Sequence, residues 1–172
     1  MKLINPLLAL LITIGINYQS FGQAGVTSTN KLEHDEIMRE YILHIPTNYN
    51  EQETYPLLLN FHGYGSNATQ HMQYSRFNDL ADRENFIVVY PEGTMLEDKT
   101  HWNVGGWTLA SKVDDVSFVN ALIDKLASDY KVDKSRIYAT GMSNGGYMSF
   151  LLACQLSDKI AAIASVTGSM TP

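Results

Sequence analysis

The chain has 172 residues, a length that supports one domain with a sizeable core. Hydrophobic residues make up 45% and charged residues 17%, which excludes a disordered chain. The net charge of -6, with no run rich in Lys or Arg, argues against a nucleic-acid binder.

Residues 1–22 read as a secretory signal peptide. Lys2 supplies a positive start, Leu3 to Ile16 is mostly apolar, and small and polar residues follow. Cleavage is expected after Gly22, with Ala24 as the alternative, and the apolar run is short for a membrane span. The mature protein is therefore expected to be secreted or periplasmic, without a stable membrane anchor. Residues 23–36 are polar and read as a flexible lead-in, so the folded domain is expected to run from 37 to 172.

Alternation of polar and apolar residues from Arg39 to Ile45 predicts a half-exposed strand, ended by Pro46. Leu57 to Phe61 is a near-continuous apolar run, the pattern of a strand covered on both faces. His62-Gly63-Tyr64-Gly65 follows at its end. Asn67-Ala68-Thr69 matches a glycosylation sequon and is read as a chance match. Phe77, Leu80 and Ala81 predict a helix over roughly Ser75 to Glu84, and Phe86 to Tyr90 a further buried strand. Glu92 to Val113 reads as a long irregular loop leaving a strand end, where α/β folds place ligands. In it Trp102 and Asn103 are candidates for a pocket wall; an aromatic plug holding the loop down is the alternative. Asp114 and Asp115 open a helix to about Tyr130 and read as caps that suit the helix dipole rather than as an acid/base pair.

The chemistry concentrates between Arg136 and Gly146. Ile137 to Thr140 predicts a short buried strand, Gly141-Met142-Ser143-Asn144-Gly145 is a G-x-S-x-G pattern, and an apolar helical run extends from Tyr147 to Cys154. Strand, tight turn and helix in that order are the context of a nucleophile elbow, in which Ser143 projects above the sheet; the alternative is a glycine-rich turn whose serine caps a helix. The helix start favours a developing oxyanion, and the N–H groups of Tyr64 and Asn144 are the expected donors of an oxyanion hole. His62 reads as a packed residue fixing its loop. Cys154, the single cysteine, reads as a small core residue. No metal-ligand spacing is present, and no cofactor is expected. Ile160 to Val166 closes the series as another strand. The strand–helix alternation predicts an α/β fold with an open, mostly parallel sheet.

Together the elbow Gly-Met-Ser-Asn-Gly-Gly, the loop Phe-His-Gly-Tyr-Gly, the strand end Val-Val-Tyr-Pro-Glu-Gly, the Trp-Asn pair, the Val-Asp-Asp-Val helix start and the Leu-Ala-Cys helix end resemble secreted polyhydroxybutyrate depolymerases and feruloyl esterases of the α/β-hydrolase superfamily. The resemblance covers nearly everything after Arg39. It implies Ser143 as nucleophile, Tyr64 and Asn144 as oxyanion donors, no cofactor, and ester substrates, either polyesters or acyl groups on plant polysaccharide. It also implies a triad in the order Ser, Asp or Glu, His. His34, His44, His62, His71 and His101 all precede Ser143, and Asp158 is the only acid after it. The expectation is an amino-terminal part of an esterase with little activity by itself, and with any partner of Cys154 outside it. A non-catalytic binding module for carbohydrate or polyester is the alternative, and a non-hydrolytic α/β domain with a coincidental motif is a third reading.

Overall fold

Among the described residues six strands form one sheet, ordered across it as the first, second, fourth, third, seventh and eighth strands of the chain. The structure is a computed structural model that describes residues 25–170; the expected leader and its cleavage site lie outside the described residues. β1 (Val26–His34) and β2 (Ile37–Ile45) are antiparallel, β2 is antiparallel to β4 (Ile87–Pro91), and β4, β3 (Tyr55–Phe61), β7 (Val132–Met142) and β8 (Ala162–Val166) run parallel. This is the expected open, mostly parallel α/β sheet. Among the described residues no helix is long and apolar enough to cross a membrane.

The central strands are buried on both faces because their apolar runs serve two cores. Leu57, Leu59 and Phe61 of β3, with Ile87 and Val89 of β4, face Phe118, Leu122 and Leu126 of α3 (Asp115–Asp129) and Met148 and Leu152 of α4 (Asn144–Gln155). On the opposite parity, Ile42, Val88 and Tyr90 face Ala68 of α1 (Ala68–Ser75) and Ala81 of α2 (Phe77–Glu84). Period-two alternation decides which residue meets which core. β2 is likewise buried along its last five positions rather than half-exposed.

Three expectations need correction. Residues 26–34 of the expected lead-in form β1, paired with β2 from Val26↔Ile45 to His34↔Ile37. The turn between them is two residues, Asp35 and Glu36, both with positive φ (48° and 61°). Positive φ at both central positions is the hairpin geometry that matches strand twist. β1 is an edge strand whose polar side chains find partners: Lys31 pairs with Glu40 directly opposite at 2.8 Å, and Thr27 Oγ1 bonds His44 Nδ1 at 2.9 Å. Of its apolar side chains only Leu32 packs on the core, so hydrophobicity carried little sign of the strand.

The helix expected over roughly Ser75 to Glu84 is α2 (Phe77–Glu84), but a further helix that was not expected, α1, precedes it, and the two meet at Arg76, which takes a left-handed conformation (φ 55°). The Asn67 side chain caps α1, accepting from Gln70 N–H at 2.8 Å, which gives the sequon asparagine a local role. Asn85, also left-handed, ends α2. Cys154 is exposed rather than in the core, because it falls on the outer side of α4 while Met148 and Leu152 take the inner one.

Under α1 a buried polar chain replaces apolar packing. His71 Nε2 and Asn60 Oδ1 are 2.8 Å apart, and Asn60 Nδ2 donates to Ser75 Oγ at 3.1 Å. Burial lowers the His71 pKa to about 4. In an unfolded chain histidine titrates near 6.5, so between about pH 6.5 and pH 4 the unfolded state binds a proton that the folded state rejects. Stability should fall as pH drops through that window and level off below it with respect to this group. His71→Gln should lose less stability over the same window, as measured by urea unfolding at pH 7, 5.5 and 4.

Candidate active site

β3 is the switch point of the sheet. The chain goes from β3 to β4 on one side through α1 and α2, then returns across β3 to β7 on the other side. Loops leaving the carboxyl ends of β3 and β7 therefore diverge to opposite faces, which opens a crevice between them. The register is Asn60↔Thr140 and Phe61↔Gly141, and just beyond it the two strand ends bring Gly63 beside Ser143. A Cβ added to Gly63 would lie 3.6 Å from Ser143 Cβ.

Ser143 sits between β7 and α4 with φ 53° and ψ -116°, a conformation that costs a non-glycine residue about 1–3 kcal/mol. Its side chain is exposed and caps nothing: among the described residues its hydroxyl has no hydrogen-bond partner. The turn is tight enough that only glycines fit around it. A Cβ on Gly145 would meet Phe61 O at 2.1 Å, and one on Gly141 would meet the Gly145 backbone at 2.5 Å. The Ser143 N–H donates to Val166 O at 2.8 Å, which ties the elbow to β8. The N–H groups of Tyr64 and Asn144 have no acceptor among the described residues, and the amino end of α4 adds its dipole at the same place.

His62 is wholly buried. Its Nε2 accepts from Gly93 N–H at 2.9 Å, so the proton is on Nδ1, 2.8 Å from Gly63 O. The ring thus shapes the loop that carries Tyr64. Trp102 is also wholly buried and walls no open pocket, which corrects that reading and leaves the plug. Its ring packs edge-on to Phe61 at 5.1 Å and its Nε1–H donates to His62 O at 3.0 Å. Its backbone is gripped by the Asn144 side chain: Trp102 N–H donates to Asn144 Oδ1 at 2.7 Å, and Asn144 Nδ2 donates to Trp102 O at 3.1 Å. Trp102 therefore clamps the loop after β3 to the first residue of α4.

Asn103 is half-buried and borders a cleft of about 600 Å³ with Asp114, Leu151 and Gln155; that cleft does not include Ser143, Tyr64 or Asn144. Its side chain is used structurally, with Nδ2 donating to Val113 O at 2.8 Å. Asp114 caps α3 through Ser117 N–H at 2.9 Å, as the sequence suggested. Asp115 does more than cap. It is buried, pairs with Arg39 Nη2 at 2.7 Å through Oδ1, and accepts Asn103 N–H at 2.7 Å through Oδ2. The Arg39 guanidinium lies over the Phe118 ring at 3.9 Å. This network was missed: an Arg on a strand and an Asp at a helix start, 76 positions apart, carry no pairing signal. The expected irregular loop also holds a hairpin, β5 (Thr94–Leu96) with β6 (Lys99–His101), whose Thr100 O accepts Gly65 N–H at 2.8 Å and braces the loop after β3.

Two outcomes follow. Ser143→Gly should raise stability by about 1 kcal/mol by releasing the strained φ, whereas Ser143→Ala should leave it nearly unchanged; thermal melts of both variants check this. Arg39→Met should cost about 3–5 kcal/mol in chemical unfolding, since it leaves the Asp115 carboxylate buried and unpaired, and adding Asp115→Leu should cost less than the sum of the two single changes.

Residues 39–171 match the family model described as esterase PHB depolymerase. Feruloyl esterase B of Piromyces equi is 36% identical over 126 residues, 73% of this chain and 23% of the relative. A bifunctional acetylxylan esterase/xylanase of Neocallimastix patriciarum is 31% identical over 126 residues, 73% of this chain and 18% of the relative. Feruloyl esterase D of Neurospora crassa is 28% identical over 142 residues, 76% of this chain and 46% of the relative. The chain thus spans less than half the length of these curated relatives. Among solved structures, an acetyl xylan esterase from Aspergillus awamori superposes with a TM-score of 0.67 at 18% identity, covering 83% of this chain and 55% of that one. A thermostable esterase gives 0.68 at 20% identity, covering 84% and 41%. These likenesses carry the α/β-hydrolase fold, and the family match over 39–171 carries the rest: the chain belongs to the PHB depolymerase esterase family.

Proposed function

We propose that this chain carries the nucleophile and oxyanion hole of an exported serine ester hydrolase that works through an acyl-enzyme on Ser143. The observation that carries the reading is the strained Ser143 at the β7–α4 turn, exposed and next to Gly63. The Ser143 hydroxyl attacks the ester carbonyl, its proton passing to solvent water, which returns one to the departing alkoxide. The N–H groups of Tyr64 and Asn144 hold the oxyanion that forms, without reorganising, because Trp102 and His62 have already set both backbones. Collapse of the intermediate expels the alcohol, and water then releases the acid. The names of the relatives support carboxylic esters as substrates, acetyl or feruloyl groups on plant polysaccharide or polyhydroxyalkanoate.

A serine hydroxyl needs a base, and none of the five histidines is positioned as one. His34 bonds Ser117, His44 bonds Thr27 and Asp82, His62 bonds Gly63 and Gly93, His71 bonds Asn60, and His101 bonds Thr94. The proposal therefore assigns no triad histidine or acid to these 172 residues. The same observation favours a second reading, a binding module for carbohydrate or polyester that does not hydrolyse.

The test is incubation of the 172-residue chain with 4-nitrophenyl acetate. The expected result is slow release of up to one equivalent of nitrophenol, acetyl on the Ser143 peptide by mass spectrometry, and loss of both in Ser143→Ala. Turnover should stay within about 10³–10⁴ of the rate in water, the residue left by an oxyanion hole without its base. Release that survives Ser143→Ala would sink the assignment, and no acetyl on Ser143 at any time would favour the binding module.

A further inference from the structure

The loop that buries Trp102 exposes a second tryptophan five residues later. Trp107 is 52% exposed, on the 3-10 turn Gly106–Thr108. It is not loose. Thr108 is wholly buried, with Oγ1 donating to Gly105 O at 2.8 Å and accepting Val104 N–H at 2.8 Å. Asn103 continues the anchor to Asp115, and Asp115 to Arg39. A buried ionic network thus holds an indole out at the surface.

Trp107 meets two tyrosines edge to face. Its ring centroid is 5.4 Å from that of Tyr64 at 74° and 6.3 Å from that of Tyr147 at 81°. Both tyrosines flank the nucleophile. Tyr64 is 42% exposed and follows Gly63, which abuts Ser143; Tyr147 is half-buried, with its N–H donating to Ser143 O at 3.0 Å one turn along α4. Edge-to-face packing at these distances lets the three rings orient one another while leaving aromatic surface open. Rigid, exposed aromatic surface beside a reactive serine suits recognition rather than folding.

We propose that Trp107, with Tyr64 and Tyr147, forms a platform that binds a planar aromatic group of the ester and so sets the specificity of the Ser143 site. The inference rests on the ester-hydrolase reading for its chemistry, but not for its binding. An aromatic ring can stack on, or stand edge-on to, the open indole surface. A short aliphatic acyl chain or a sugar ring without an aromatic substituent offers less contact and no matching quadrupole. Asn103 is a positioning residue in this account, holding the turn that presents Trp107.

The test measures binding of ethyl 4-hydroxycinnamate, ethyl butyrate and methyl β-xyloside to the full chain by calorimetry and saturation-transfer NMR. Melting curves of each variant confirm that it folds. The aromatic ester should bind saturably and at least tenfold more tightly than the other two. Trp107→Ala should weaken it about tenfold, and Trp107→Phe should stay within about threefold. Equal binding of the aliphatic ester or the sugar, or unchanged binding in Trp107→Ala, overturns the platform. Acylation of Ser143 by 4-nitrophenyl esters is followed separately. If Ser143 is acylated alike by aromatic and aliphatic esters whether or not Trp107 is present, the platform falls and hydrolysis stands. If aromatic binding depends on Trp107 but Ser143 is never acylated, the platform stands and the hydrolase reading falls.

Discussion

Everything at the crevice depends on how closely two backbones approach. α4 starts against the end of β3, where the Gly145 Cα faces the Phe61 carbonyl with no room for a methyl group. That contact sets the height of Ser143 above the sheet and, through the Phe61↔Gly141 register, the position of Gly63 and Tyr64 beside it. Elements that carry side chains at these positions could not close this distance. The chain accepts a strained serine at the turn, and the β3–β7 pairing and the two-faced core over-determine its position.

A second constraint stabilises the loop above the sheet. Arg39 and Asp115 are nearly inaccessible to water, and desolvating two charges is costly unless their remaining hydrogen bonds are met. Here they are: Arg39 also donates to Glu92 O at 3.2 Å, and Asp115 receives Asn103 N–H. The pair links β2, the strand end after β4, the long loop and α3 at one point. Replacing it with apolar groups would keep the packing but lose the directional link that carries Asn103, Thr108 and Trp107. The two tryptophans divide the work accordingly, Trp102 joining the β3 loop to α4 from inside and Trp107 standing outside.

The opposite end of the sheet is less protected. Among the described residues β8 pairs with β7 alone, and Ala162, Ala164 and Val166 are exposed on its one face, while Ile163 packs against the α4 side. Among the described residues α1 and α2 cover β2 and β4 and reach β3 through the His71–Asn60 bond, and the exposed face of β8 lies beyond them. Yet β8 is tied to the site, since its Val166 carbonyl receives the Ser143 N–H. Motion at this edge is thus coupled to the nucleophile's turn by one backbone hydrogen bond.

What could be read from the chain alone was local. The apolar runs of β3, β4 and β7, the α3 periodicity and the strand–glycine–serine–glycine–helix order each need only neighbours in sequence, so the α/β class and the turn that carries Ser143 were legible. β1 was not, because its polar side chains pair across a hairpin whose Asp35-Glu36 turn lacks the usual glycine. Nor was α1, which packs through Ala68 and a buried His71 rather than an apolar stripe. The burial of Trp102, the exposure of Trp107 and of Cys154, and the Arg39–Asp115–Asn103 link were decided by the tertiary structure. Two identical residue types five positions apart, or two charges on separate elements, differ only in what the folded chain brings against them.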